Sequence, residues 1–139
     1  MTDPWSQRVV ARFSRSADRY DGAARLQRAM ARQLAERCRR QPIPRGLWVD
    51  LGSGTGLLAD DLERLHPGQR VLRLDGSDAM LRRHAPTAQT SCVDLNQPLP
   101  TWSSAPVLLS SSFVLHWLSE PARCLQHWFE QLGQGGCLV

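Results

Sequence analysis

The chain has 139 residues and a hydrophobic fraction of 42%, which fits one compact domain with its own core and excludes an intrinsically disordered segment. No apolar run approaches the roughly 20 residues of a membrane span, and the opening Met-Thr-Asp-Pro-Trp lacks the charged-then-apolar order of a secretory leader, so the cytoplasm is the expected location. The formal net charge is +4 and every basic residue is arginine, eleven of them within residues 1–45 against four acids.

Taken in chain order, residues 5–40 read as helical with a break near Asp21-Gly22. Val9, Phe13, Ala17 and Tyr20 recur at spacings that place them on one apolar face, and Leu26, Met30 and Leu34 continue a stripe beyond the break. Residues 41–46, with two prolines and a closing glycine, form a linker. Residues 47–51 are nearly continuously apolar, as in a buried parallel strand. A glycine-rich turn over 52–56 follows, then a helix over 57–65 closed by His66-Pro67-Gly68. A second strand spans 70–75. Ser77 is placed to cap a helix running to about His84, its hydroxyl accepting an early backbone N–H. A weak third strand over 89–93, a proline- and serine-rich loop over 96–106 and a fourth strand over 107–111 come next. Residues 113–117 form a turn or short helix. Pro121 opens a last helix that ends near Leu132-Gly133, and residues 135–139 begin a fifth strand.

Strands alternating with helices predict an α/β, doubly wound, mainly parallel sheet covered on both faces. Residues 1–45 would form a helical lid and residues 46–139 the core. Because the last strand is apolar and lacks a closing helix, the core is expected to be incomplete, truncated after the fifth strand. Ligands of such sheets bind beyond the carboxyl ends of the strands, where the first strand and its glycine turn sit.

The residues that carry chemistry gather there. Asp50 ends the first strand and can accept from a ligand ammonium. Gly52, Gly54 and Gly56 let the backbone turn tightly and approach a ligand. A dinucleotide fingerprint would need glycine at 57, where Leu57 stands, which disfavours a nicotinamide site. Asp75 ends the second strand, where a carboxylate can accept from both hydroxyls of a ribose; a helix cap is its plainer role. Asp94 follows the third strand and can accept an adenine amino group, with Leu95 as a wall; a loop aspartate is the alternative. Ser110, Ser111 and Ser112 end the fourth strand facing the same crevice. His116 is expected to pack beside Trp117 rather than act as a base. Cys38, Cys92, Cys124 and Cys137 form no CxxC pair and no zinc spacing, so reduced thiols and no metal are expected. The arginine-rich start reads either as a solvated helix face or as a docking surface for an acidic partner. Without interleaved aromatics, it does not point to nucleic acid.

Together, Val49-Asp-Leu-Gly-Ser-Gly-Thr-Gly56, Leu74-Asp75-Gly-Ser-Asp-Ala-Met-Leu81, Cys92-Val-Asp94-Leu95 and Leu132-Gly-Gln-Gly-Gly136 resemble the class I, Rossmann-like S-adenosylmethionine-dependent methyltransferases. The resemblance implies S-adenosylmethionine as cofactor. Asp50, Gly52, Ser53, Gly54 and Gly56 would lie at its methionine part, and Asp75, Gly76, Met80, Asp94 and Leu95 around ribose and adenine, with Ser110 lining the pocket. A narrower resemblance, on Val10-Ala-Arg-Phe13-Ser-Arg15-Ser-Ala17-Asp-Arg-Tyr20-Asp21 and Phe113-Val-Leu-His-Trp117, is to the malonyl-acyl carrier protein O-methyltransferases of biotin synthesis. It implies that the N-terminal helices cover the cofactor, that Tyr20 approaches the transferred methyl, and that the acceptor is the carboxylate of an acyl carrier protein-linked substrate. A monomer that engages neither nucleic acid nor membrane is expected. Quinone-precursor and trans-aconitate methyltransferases share parts of the pattern. A truncated, non-catalytic cofactor-binding domain is a further reading. Ala105-Pro106 stands where many relatives begin the fourth strand with aspartate.

Overall fold

The computed structural model describes residues 4–23 and 25–139; the described side chains exclude Phe13 and residues 16–23. Two helices open the chain, α1 (Pro4–Ala23) and α2 (Arg25–Arg39). The core then alternates as β1 (Trp48–Leu51), α3 (Leu57–Leu65), β2 (Val71–Asp75), α4 (Asp78–Leu81), β3 (Gln89–Cys92), β4 (Leu108–Ser110), a 3₁₀ turn (Leu115–Trp117), α5 (Pro121–Gln131) and β5 (Cys137–Leu138). The five strands form one sheet in the order β3-β2-β1-β4-β5, and every pairing is parallel. The order reverses between β1 and β4, the switch point at which doubly wound sheets leave a crevice.

Strand register explains how the interior is divided. Successive side chains alternate faces, so Trp48, Val71 and Leu108, which are register partners, share one face and pack with Ala31, Ala35, Leu58 and Leu62 of α2 and α3. Val49, Leu51, Leu74 and Leu109 point the other way, against Leu95, Leu118 and Trp128. The large side chains in both layers are essentially inaccessible, and each contributes about 1.5–3 kcal/mol by leaving water. The same register carries a polar row one step further along the first face: Asp50 is partnered with Arg73 and with Ser110, and all three are buried.

Two elements depart from the sequence expectation. The helix after Ser77 stops at Leu81; from there to His84 the chain continues in i to i+3 bonds (Arg83 N to Met80 O 3.0 Å, His84 N to Leu81 O 3.1 Å), a tight turn rather than α-helix. Ser77 does cap it, accepting from Met80 N at 3.3 Å. The sheet is not covered along β3, which is exposed throughout, as its polar Gln-Thr-Ser-Cys sequence suits. His116 is exposed, its ring tilted against Trp117.

Helix α1 lies across the carboxyl ends of the strands and is held by specific contacts. Ser6 Oγ accepts from Asn96 Nδ2 at 2.6 Å, Ser14 and Ser77 share a 2.6 Å hydroxyl bond, and Trp5 Nε1 donates to Trp117 O at 3.2 Å. Val10 packs close enough to Gly76 that a Cβ there would sit 3.0 Å from its methyl. The side chains of Phe13, Ala17 and Tyr20, and with them the expected role of Tyr20, lie outside the described residues. Among the described residues no helix is long and apolar enough to cross a membrane, and the four cysteines are free.

Candidate functional site

Beneath α1 and above the carboxyl ends of β1, β2 and β4 lies a hollow. Val9, Val10, Met80, Leu95, Val114 and Trp117 supply apolar walls, and Asp75, Asp94, Asn96 and Ser112 the polar ones. A smaller hollow, lined by Gln27, Ala31, Asp50, Ser53, Leu57 and Leu58, lies toward α2 and α3. Gly52 and Ser112 line both, so one ligand can run from one to the other across the glycine turn.

That turn is built by the ends of two strands. The N–H groups of Gly52 and Ser53 both donate to Leu74 O, at 2.8 and 2.9 Å. Gly54 N donates to Asp75 Oδ2 at 2.8 Å, and Ser77 N to Asp75 Oδ1 at 2.8 Å. Asp75 therefore does two things: it organises the bend and presents its remaining acceptor capacity to the hollow. Burial raises its carboxyl above the usual range, while the Ser77 and Gly54 amides pull it back.

Two buried oxygens have no hydrogen-bond partner among the described residues, and they mark opposite ends of the crevice. Asp94 lines the larger side; its other oxygen, Oδ1, accepts from Asn96 N at 3.0 Å and Asn96 Nδ2 at 3.3 Å. Ser53 Oγ lies on the smaller side. An acceptor left unmet in an interior is costly, and a carboxylate oxygen accepts only, so Asp94 Oδ2 suits a ligand amino group. Asp50 completes the smaller hollow. Burial pushes its carboxyl up to about 7, against the Ser110 hydroxyl bond of 2.8 Å and the Arg73 charge that lower it, and with Asp75 and Asp60 raising it.

Three expected site residues take other places. Gly56 does not border either hollow; a Cβ there would meet Arg73 Nη1 at 2.9 Å and the His84 ring at 3.0 Å, so this glycine makes room behind the turn. Gly54 contributes only backbone, and both its N–H and its carbonyl are held by protein groups. Ser110 is fully buried under Asp50 and supports it, while Ser112, two residues on, reaches the ligand side. Asp50, Gly52 and Ser53, and Asp75, Gly76, Met80, Asp94 and Leu95, do line the hollows.

Gly52 sits at the narrowest point. It has φ +75°, and a Cβ would collide with the Val114 side chain. Val114 is brought there by Phe113, a bulky residue with φ +58°, a left-handed conformation that costs about 1–2 kcal/mol. Gly52→Ala is expected to lower stability by about 1–3 kcal/mol, since both backbone and packing oppose it; thermal unfolding reads the loss, and an unchanged midpoint would contradict this placement.

The methyltransferase-domain family model matches residues 49–138. The chain belongs to the methyltransferase-domain family. It is 33% identical, over 95% of its length, to 49% of a malonyl-acyl-carrier-protein O-methyltransferase of Laribacter hongkongensis. It is 35% identical, over its whole length, to 52% of the protein of that name from Herminiimonas arsenicoxydans. The chain thus spans about half the length of these curated relatives. Among solved structures, a DhpI–SAH complex superposes with a TM-score of 0.77 at 22% identity, covering 99% of this chain and 69% of that one. The architecture is the Rossmann-like class I methyltransferase fold.

Within this methyltransferase domain the sequence reading missed Asn96 and His84. Asn96 links Asp94 to α1 and also accepts from Ser119 N and Oγ, both at 2.8 Å; the Asp-x-Asn spacing of an Asx turn was its only local signal. Nothing local marks His84, whose partners lie eleven and thirty residues away. Among the described residues no group of three side chains is placed to hold a metal ion.

Proposed function

We propose that this chain binds S-adenosylmethionine and serves methyl transfer to the free carboxylate of malonyl-acyl carrier protein. The observation that carries the cofactor assignment is Asp75, fixed against the glycine turn at the mouth of a hollow whose far wall holds the unmet Asp94 Oδ2. The donor set fits the cofactor's parts. Asp75 would accept from the ribose hydroxyls, and Asp94 from the adenine amino group between Met80 and Leu95. Asp50 and Ser53 would hold the amino-acid end.

Bound S-adenosylmethionine would supply a methyl group already activated by a sulfonium leaving group. The protein's share is then orientation and exclusion of water. Helix α1, tied down through Ser6 and Ser14, closes the hollow from above. No general base is required, because an acceptor carboxylate is ionised at pH 7.

The names and extents of the relatives support the acceptor assignment, and so does charge. Helix α2 turns Arg25, Arg28, Arg32 and Arg37 to its exposed side, while Gln27 and Ala31 of the same helix line the smaller hollow. An acidic carrier protein docking on these arginines would deliver its substrate beside the cofactor's methionine end. On this reading the domain acts as a cytoplasmic monomer and engages neither nucleic acid nor membrane.

Calorimetric titration with S-adenosylhomocysteine tests the cofactor, and a methyl-ester assay on malonyl-acyl carrier protein tests the acceptor. Saturable binding and ester formation are expected. A folded protein that does not bind sinks the cofactor assignment. Methylation of a quinone precursor or trans-aconitate instead would overturn the acceptor. Binding without any turnover would leave a cofactor-binding module, the second reading of the sequence.

A further inference from the structure

We propose that His84 is a positioning residue for the glycine turn, held to that task by the buried Arg73. The inference rests on the cofactor reading above for its consequence, but not for its geometry. Gly54 is gripped from both sides: its N–H donates to Asp75, and its carbonyl lies 2.7 Å from His84 Nε2. The other ring nitrogen, Nδ1, lies 3.1 Å from Arg73 Nη1. A guanidinium only donates, so Nδ1 must accept. That leaves the hydrogen on Nε2, where it is donated to Gly54 O. Arg73 thus selects the tautomer that the turn requires.

Arg73 is itself held by two acids through its terminal nitrogens. It is 2% exposed, with Nη1 2.6 Å from Asp60 Oδ1 and Nη2 3.1 Å from Glu63 Oε2. Both acids belong to α3, the helix that begins directly after the turn. Register places Arg73 opposite Asp50. The arrangement therefore runs from α3 through Arg73 and His84 to Gly54, whose N–H is held by Asp75. The glycine at 56 is explained by the same geometry, since a Cβ there would press on Arg73 and His84.

His84 is half-buried, so it can be replaced without emptying the core. His84→Leu removes the donor while keeping bulk, His84→Ala is the second truncation should leucine fail to fold, and His84→Gln can donate to Gly54 O and accept from Arg73. The first readout needs no ligand: amide hydrogen exchange at Gly54 is expected to accelerate about tenfold in His84→Leu, in line with the loss of one hydrogen bond, and to stay near the parent rate in His84→Gln. The second is S-adenosylhomocysteine affinity, expected to fall about tenfold in His84→Leu and to be largely restored in His84→Gln. Exchange at Gly54 within twofold of the parent in both truncations overturns the grip. Faster exchange with unchanged affinity overturns its role in binding, as does a glutamine variant as impaired as leucine. If the parent protein binds no S-adenosylhomocysteine, the cofactor reading fails, and the exchange measurement still decides whether His84 holds the turn.

Discussion

Replacing Asp75 with alanine is expected to weaken S-adenosylhomocysteine binding by about two to three orders of magnitude, the largest effect of any single side chain in the crevice. The carboxylate accepts the amides of Gly54 and Ser77, each at 2.8 Å. Bonds to a charged acceptor are worth about 1.5–3 kcal/mol each. Alanine would leave both amides without a partner and free the turn to relax. It would also remove the acceptor proposed for the ribose hydroxyls. The sum is far from additive, because the loop can find water, and a net loss of about 3–4 kcal/mol is the reasonable scale. Asp75→Asn sharpens the test. It keeps the shape, but one acceptor becomes an NH₂ group facing the N–H of Gly54 or of Ser77, so it is expected to bind nearly as weakly as alanine. Calorimetry at pH 8 checks both, with circular dichroism confirming the fold. Affinity within threefold of the parent in Asp75→Ala would remove this residue from the site and, with it, the reason for placing a nucleoside there.

The sequence disclosed Asp75 because its position depends on one strand and one turn. An acid closing a buried strand, nineteen residues after Gly56, can only reach the crevice at the switch point, and the structure pairs it with Gly54. Helix α3 was legible for the same reason: an apolar stripe bounded by glycine at one end and His-Pro-Gly at the other leaves little freedom in where it starts or stops. The errors fall where distant residues decide. Ser110 and Ser112 are indistinguishable as sequence; the register of β4 against β1 sets Ser110 beside Asp50, while Ser112, beyond the end of the strand, borders the hollow. Gly56 looked like a ligand-facing glycine because its neighbours are; its reason for being glycine is a guanidinium and an imidazole carried in from β2 and the turn after α4. The left-handed Phe113 has no local cause at all. Strand β3 was expected under cover because parallel sheets usually are, yet its polar residues already spoke for the exposed edge it occupies.

Asp50→Asn is expected to do two opposite things: stabilise the ligand-free protein above neutral pH and impair ligand binding. Both follow from one buried carboxyl. Asp50 is 1% exposed, and burial raises it from its usual 3.8 to about 7. Between those values the folded protein holds a proton that the unfolded chain has released. Stability from this group is therefore fully present below about pH 4, falls as pH rises toward 7, and is flat beyond it; a displacement of this size corresponds to something on the order of 4 kcal/mol. Asparagine carries no charge and can still accept from the Ser110 hydroxyl. The variant should then lose this part of the pH slope and unfold at a higher temperature than the parent at pH 8, with little difference at pH 4. Asp75 is raised by burial as well and is present in both proteins, so the difference between them reads Asp50 together with its repulsion from Asp75. Binding reverses the preference. A ligand ammonium in the smaller hollow calls for the ionised carboxylate, so below pH 7 the parent must release a proton to bind. Its affinity for S-adenosylhomocysteine should rise by up to about tenfold per unit of pH on that side and level off above 7. Calorimetry in two buffers of different ionisation enthalpy should find nearly one proton released at pH 6 and almost none at pH 8.5. In Asp50→Asn the affinity should be low and independent of pH. A parent affinity that is flat from pH 6 to 8.5, with no proton released, would mean that Asp50 meets no cation there. Its buried charge would then be an uncompensated cost, left without a function in the site.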